Sequence, residues 1–163
     1  MFKHINILEH IISKYPNMKW NWNAIQDNPT VTAKFIIENC PSIDYERLSY
    51  NTTLDPVYIE NNRYESWDWE GLTVNTVCTL EFIEKHMDWP WDYTALSDLD
   101  KVNESFLEKH MDKPWDYTAL STCPAITIDF ILKYSNKDWS WSTISRWKAT
   151  YDAYRRTQTC LGI

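Results

Sequence analysis

The sequence predicts an all-α fold, a short α-solenoid of about six two-helix repeats with a longer C-terminal capping helix. Two stretches of the chain are near copies. Residues 80–97 read LEFIEKHMDWPWDYTALS and residues 104–121 read ESFLEKHMDKPWDYTALS, identical at 14 of 18 positions with an offset of 24. A period of about 20–50 residues marks a solenoid or a similar array. An aromatic-x-aromatic element keeps the beat elsewhere: Trp20/Trp22, Ile43/Tyr45, Trp67/Trp69, Trp91/Tyr93, Trp115/Tyr117 and Trp139/Trp141. Successive second members lie 23 residues apart once and 24 apart thereafter. Three positions after each comes an aliphatic: Ile25, Leu48, Leu72, Leu96, Leu120 and Ile144. A further apolar pair keeps the same register, from Ile11-Ile12 and Phe35-Ile36 through Tyr58-Ile59, Phe82-Ile83 and Phe106-Leu107 to Phe130-Ile131. Residues 1–145 are therefore read as tandem repeats of about 24 residues, and 146–163 as the capping helix and tail.

Within each unit the first helix begins at a residue able to accept a hydrogen bond from the free N–H groups of its first turn, namely Thr32, Asp55, Thr79, Asn103 or Thr127. Pro56 follows Asp55 at a position that suits a first helical residue. Glu81, Glu104 and Asp129 put negative charge near the positive end of the helix dipole, and Lys14, Lys85, Lys109 and Lys133 put positive charge near the other. Ile126, Phe130, Ile131 and Tyr134 follow the spacing of one buried helical face. Pro16, Pro41, Pro90 and Pro114 then punctuate the turn. The second helix is shorter, with Asp68, Asp92 and Asp116 as its expected N-caps. A strand reading is the rival, since 24 residues also suits leucine-rich repeats. The lack of glycine turns and the helical period of the first segment favour helices. Ser145 to Thr159 runs on with neither a second cap nor a proline, as one longer terminal helix would.

Composition excludes several kinds of chemistry. Gly71 and Gly162 are the only glycines, too few for a phosphate-cradling loop or a strained nucleophile elbow. Cys40, Cys78, Cys123 and Cys160 are far apart with no CxxC, which disfavours a zinc site or redox pair and fits a reducing, intracellular setting. No long apolar run suggests a leader or a membrane span. The ladder Asp44, Asp68, Asp92 and Asp116 would recur at the spacing of packed helices, about 10 Å, too far to share a metal. Helix capping explains it, and the same distance argument keeps His10, His86 and His110 from one zinc. No cofactor is expected, and no enzymatic activity.

Eight of the ten tryptophans keep the repeat register and are read as the seam between units. Trp89 and Trp147 fall outside it. Trp89 stands where the sister unit has Lys113, which makes it the leading choice for an exposed partner-contact residue. The net charge is −7. Residues 146–163 hold Arg146, Lys148, Arg155 and Arg156 against Asp152, a net of +3 that leaves −10 on the body. An acidic body disfavours nucleic acid as partner. Arg155 and Arg156, with Trp147, complete the partner-binding candidates.

Units such as LSTCPAITIDFILKYSNKDWSW and FLEKHMDKPWDYTALS resemble the short tandem repeat of giant DNA virus proteins of the mimivirus and marseillevirus type, whose general form is LSxNPxITxEFIxKHxDKPWDWxxLS. The likeness covers the chain to about Ser145. Cys123-Pro124 and Leu99-Asp100 depart from the Asn-Pro of that form, and the unit around Pro41 to Tyr45 is one residue short. The resemblance carries no catalytic residues. It implies a viral protein in the host cytoplasm or the virion. Together with the repeat it leads to the expected function: a non-enzymatic protein–protein interaction or scaffold element, with a viral structural or host protein as partner and no membrane. The alternatives are a nucleic-acid-associated protein using the basic tail, or an enzyme whose site the sequence does not reveal.

Overall fold

The computed structural model describes residues 6–99 and 101–147. These residues form twelve short helices and, among them, no strand. In chain order the helices fall into six pairs, each pair filling one sequence repeat. They are α1 (Ile7–Lys14) with α2 (Trp22–Gln26), α3 (Ala33–Asn39) with α4 (Tyr45–Leu48), α5 (Pro56–Asn61) with α6 (Trp69–Val74), α7 (Leu80–Lys85) with α8 (Tyr93–Ser97), α9 (Glu104–Lys109) with α10 (Tyr117–Leu120), and α11 (Ile128–Lys133) with α12 (Trp141–Ile144). The chain divides into two compact units, Met1–Trp91 and Asp92–Ile163.

Helices of four to eight residues are too short to hold together by propensity alone, so caps and packing carry them. Every cap expected from the sequence is in place. Thr32, Asp55, Thr79, Asn103 and Thr127 accept from first-turn N–H groups of the first helices, and Asp68, Asp92 and Asp116 do the same for the second. Asn6, Asn21, Asp44 and Ser140 complete the set. A further apolar position recurs beside these caps, at the residue just before the first one. Val31, Leu54, Cys78, Val102 and Ile126 sit there, all buried, five positions ahead of the buried Ile36, Ile59, Ile83, Leu107 and Ile131. That spacing is the hydrophobic staple, which fixes the angle at which the chain enters a helix.

Every helix gives at least one residue to the core of its unit. Ile12, Ile36, Ile59, Ile83, Leu107 and Ile131 come from the first helices, and Ile25, Leu48, Leu72, Leu96, Leu120 and Ile144 from the second, all buried. Each contributes about 1.5–3 kcal/mol by leaving water. Gly71 of α6 takes the place that Ala95 and Ala119 hold in the later copies, because the Tyr50 ring lies over it. A Cβ there would meet that ring at 2.8 Å.

After α12 the chain turns rather than continuing as a helix. The N–H of Arg146 donates to the carbonyl of Thr143 and that of Trp147 to Ile144, so the expected long helix does not begin at Ser145. These i to i+3 bonds close the second helix as they do in earlier repeats. The rest of the proposed capping helix lies outside the described residues.

Candidate interaction surface

What the repeats use for holding together has to be subtracted before any surface can be assigned to function. Two recurring polar bonds do most of this holding. The indole N–H of Trp67 donates to the carbonyl of Asn62, five residues earlier, at 2.9 Å. Trp20 does the same to Tyr15 (2.9 Å), Trp91 to His86 (2.8 Å), Trp115 to His110 (2.7 Å) and Trp139 to Tyr134 (2.8 Å). The ring thus closes the frayed C-terminal end of the first helix while its body is removed from water. The acceptor is a main-chain carbonyl, so the side chain at that position is left to vary, which accounts for Tyr, Asn and His there.

The second bond ties one repeat to the next. Ser49 Oγ accepts from the N–H of Asp68 at 3.0 Å, Ser97 Oγ from that of Asp116 at 3.0 Å, and Ser121 Oγ from that of Ser140 at 2.9 Å. Each hydroxyl also donates to the carbonyl four residues back, at 2.6–2.8 Å. In the repeat that is one residue short, Gln26 Oε1 takes over and accepts from the N–H of Asp44 at 2.8 Å. The longer side chain spans what the missing residue would have supplied.

The aromatic seam follows the same logic. The second ring of one repeat meets the first ring of the next edge-on: Tyr45 with Trp67 at 5.0 Å, Trp69 with Trp91 at 5.4 Å, Tyr93 with Trp115 at 5.1 Å and Tyr117 with Trp139 at 5.0 Å. Trp67, Trp91, Trp115 and Trp139 are buried, as expected of a seam, while Trp20, Trp22 and Trp69 are half-buried. Trp141 departs from the expectation at 50% exposed. Its position needs a following first ring, and none lies among the described residues.

The four sequence-derived contact residues fare differently. Trp89 is not the exposed ring that its place outside the register suggested, since only 8% of it is accessible. It stacks on His86 at 4.1 Å and on Trp91 at 5.8 Å, and meets Trp69 and Phe82 edge-on, each at 5.8 Å. The apolar ring is drawn into the aromatic cluster that its own repeat supplies. Trp147 is half-buried, and Arg155 and Arg156 lie outside the described residues.

The remaining candidates resolve into structural parts. Asp44, Asp68, Asp92 and Asp116 each cap a second helix. The bond from the Gly71 N–H, with that from the Tyr50 hydroxyl, holds the Asp68 carboxyl below its ordinary range, and the same bond pushes the Tyr50 phenol up to about 12. His86 Nε2 lies 2.8 Å from Glu60, which also receives the Lys85 ammonium. Glu108 likewise accepts from Lys133 at 2.7 Å and from the Tyr134 hydroxyl at 3.1 Å. Among the described residues, no group of three or more His, Cys, Asp or Glu side chains could hold a metal ion. No described helix is long and apolar enough to cross a membrane.

Besides a cleft of about 820 Å³ along α1, lined by Asn6, Ile7, Glu9, Ile11 and Thr32 among others, two clefts of the first unit stand out. One, of about 540 Å³, is lined by Gln26, Asp27, Glu46, Arg47, Tyr50 and Asp68 among others. Much of its polarity is spent internally, with Arg47 bonded to Asp44 and Asp27 and Tyr50 bonded to Asp68. The other, of about 410 Å³, is lined by Tyr64, Trp69, Trp89 and Pro90 with Arg63, Glu65 and Asp88 at its polar edge. The chain matches no known protein family, no curated protein and no solved structure.

Proposed function

We propose that the chain is a non-enzymatic interaction module in which six two-helix repeats stack as a short α-solenoid. The observation that carries this reading is the serine tie. One hydroxyl per repeat meets the first N–H of the next repeat's cap, at Ser49, Ser97 and Ser121, with Gln26 making the equivalent bond across the short repeat. A bond of fixed register, repeated, stacks copies at a constant step. Stacked copies present a long surface whose outward side chains vary without disturbing the core. The side chains invariant in the repeat are those spent on caps, seam and ties, which leaves the variable ones for a partner. The likeness of the repeat to those of giant DNA viruses supports a viral structural or host protein as that partner, in the host cytoplasm or the virion.

Small-angle X-ray scattering tests the architecture. A compact 163-residue domain has a radius of gyration of about 15 Å. Six helix pairs stepping about 10 Å each give an elongated particle with a clearly larger value. A compact, isotropic particle would refute the stacking. Affinity purification from infected cells tests the role. A stoichiometric protein that stays bound after nuclease treatment is expected, and recovery of nucleic acid alone would refute it.

A further inference from the structure

We infer that the cleft between Trp69 and Trp89 is a docking site for an extended, proline-containing peptide with a basic flank. This rests on the interaction-module reading and names the chemistry of one contact. The starting observation is a position that the repeats fill in another way. Lys113 lies over the ring of Tyr93 at 6.0 Å and Lys137 over that of Tyr117 at 5.3 Å, each ammonium covering the second ring of the preceding repeat. Trp89 occupies the equivalent place over Trp69, 24 residues before Lys113. Where the later repeats set a charge, this one sets an apolar wall. The repeat fold does not require that wall, since its near-identical sister folds with lysine.

The wall opens on a cleft of about 410 Å³ whose other apolar sides are Trp69, Tyr64 and Pro90. Tyr64 is 85% exposed, the most open large hydrophobic side chain described, and Arg63 lies over its ring at 4.4 Å. The indoles add a second feature. The five first-ring tryptophans of the seam each spend their N–H on a main-chain carbonyl, whereas Trp69 and Trp89 have no such acceptor among the described residues. Two unspent donors beside an aromatic trough match the carbonyls of a polyproline II strand. Such a strand lacks internal hydrogen bonds and presents its rings to aromatic grooves at small entropic cost.

Charge selects the flank. Glu65 and Asp88 line the cleft, both are exposed, and neither is ion-paired with a described cation. Against the single Arg63 they leave a net negative rim, on a protein that is itself acidic, and this favours a peptide with arginine or lysine beside its prolines.

Selection of the full chain against a random dodecapeptide display library tests the inference, with a glycan array run in parallel. Proline-containing peptides with a basic flank should be enriched. The selected peptide should move the indole N–H resonances of Trp69 and Trp89 while leaving those of the five seam indoles in place. Trp89→Lys restores the residue of the sister repeat in place of a buried ring, and unchanged resonances of the seam indoles report that the fold is kept. It should weaken the selected peptide at least about tenfold, as loss of an aromatic anchor does, and Tyr64→Ala should act in the same direction. Failure to enrich such peptides, undiminished binding by Trp89→Lys, or binding to glycans alone would overturn it. A protein partner captured equally by wild type and Trp89→Lys would remove this cleft while leaving the interaction module standing.

Discussion

The buried serine that ends a second helix is a small residue with two bonds and no slack. Ser97 donates to the carbonyl of Tyr93 and accepts from the N–H of Asp116, with no exposure to water. Ser97→Ala would strand the Asp116 N–H without an acceptor, at a cost of about 1–3 kcal/mol. Urea unfolding should show it as a lowered midpoint with an unchanged slope. Ser105→Ala on the exposed side of α9 should stay within about 0.5 kcal/mol of wild type. Equal behaviour of the two variants would mean that the tie does not hold the repeats. The serine was legible in the sequence as a recurring letter, but its role was not. Its partner is a main-chain N–H of the next repeat, and a main-chain group leaves no mark on residue identity. The indole bonds were hidden in the same way, although the register of the rings was plain. Trp89 is buried against the expectation because lying outside a register says that a residue is dispensable to the repeat, not that it faces water.

At the scale of an element, the caps were legible because their chemistry is local: a short polar side chain and the N–H two or three residues on. The turn that follows the second helix was less so. Asn51 Nδ2 donates to the carbonyl of Val31 at 2.9 Å, and Asn75 Nδ2 to those of Ser49 and Asn51 at 2.8 and 3.1 Å, while each Oδ1 braces its own turn. Cys123 stands at the same place in its repeat, where its thiol reaches the carbonyl of Val102 at 3.7 Å. A thiol is a weak donor and has no oxygen to brace the turn. Cys123→Asn should therefore recover both bonds in a site of nearly the same volume, adding about 0.5–1.5 kcal/mol. Thermal unfolding of that variant should shift upward, and a downward shift would show that the buried site rejects the amide.

For the molecule as a whole, lowered carboxyls and raised phenols mark the two ends of the pH range of stability. The Lys85 bond, then that of His86, lowers the Glu60 carboxyl, the Lys133 bond lowers that of Glu108, and the Gly71 N–H lowers that of Asp68. A carboxyl lowered on folding contributes stability that is fully present above its ordinary value, 4.5 for glutamate and 3.8 for aspartate, and is lost as pH falls through the folded value. On the alkaline side Tyr50 and Tyr58 are raised from 10.0 to about 12, the first by its bond to Asp68 and the second by burial. Their contribution is whole below 10.0 and lost as pH rises towards 12. A melting temperature flat from about pH 5 to about pH 10 is expected, with a shallow acid limb that Glu60→Gln makes shallower still. A decline already under way between pH 7 and pH 5 would contradict this assignment. The serine tie has one more consequence, for how such a chain grows. Where a serine makes it, the hydroxyl travels at the back of its repeat, and the N–H it needs is a main-chain group at the second-helix cap of the next. A duplicated segment, such as the pair that reads almost letter for letter between Leu80 and Ser121, therefore arrives with its own fastener and asks nothing of its neighbours.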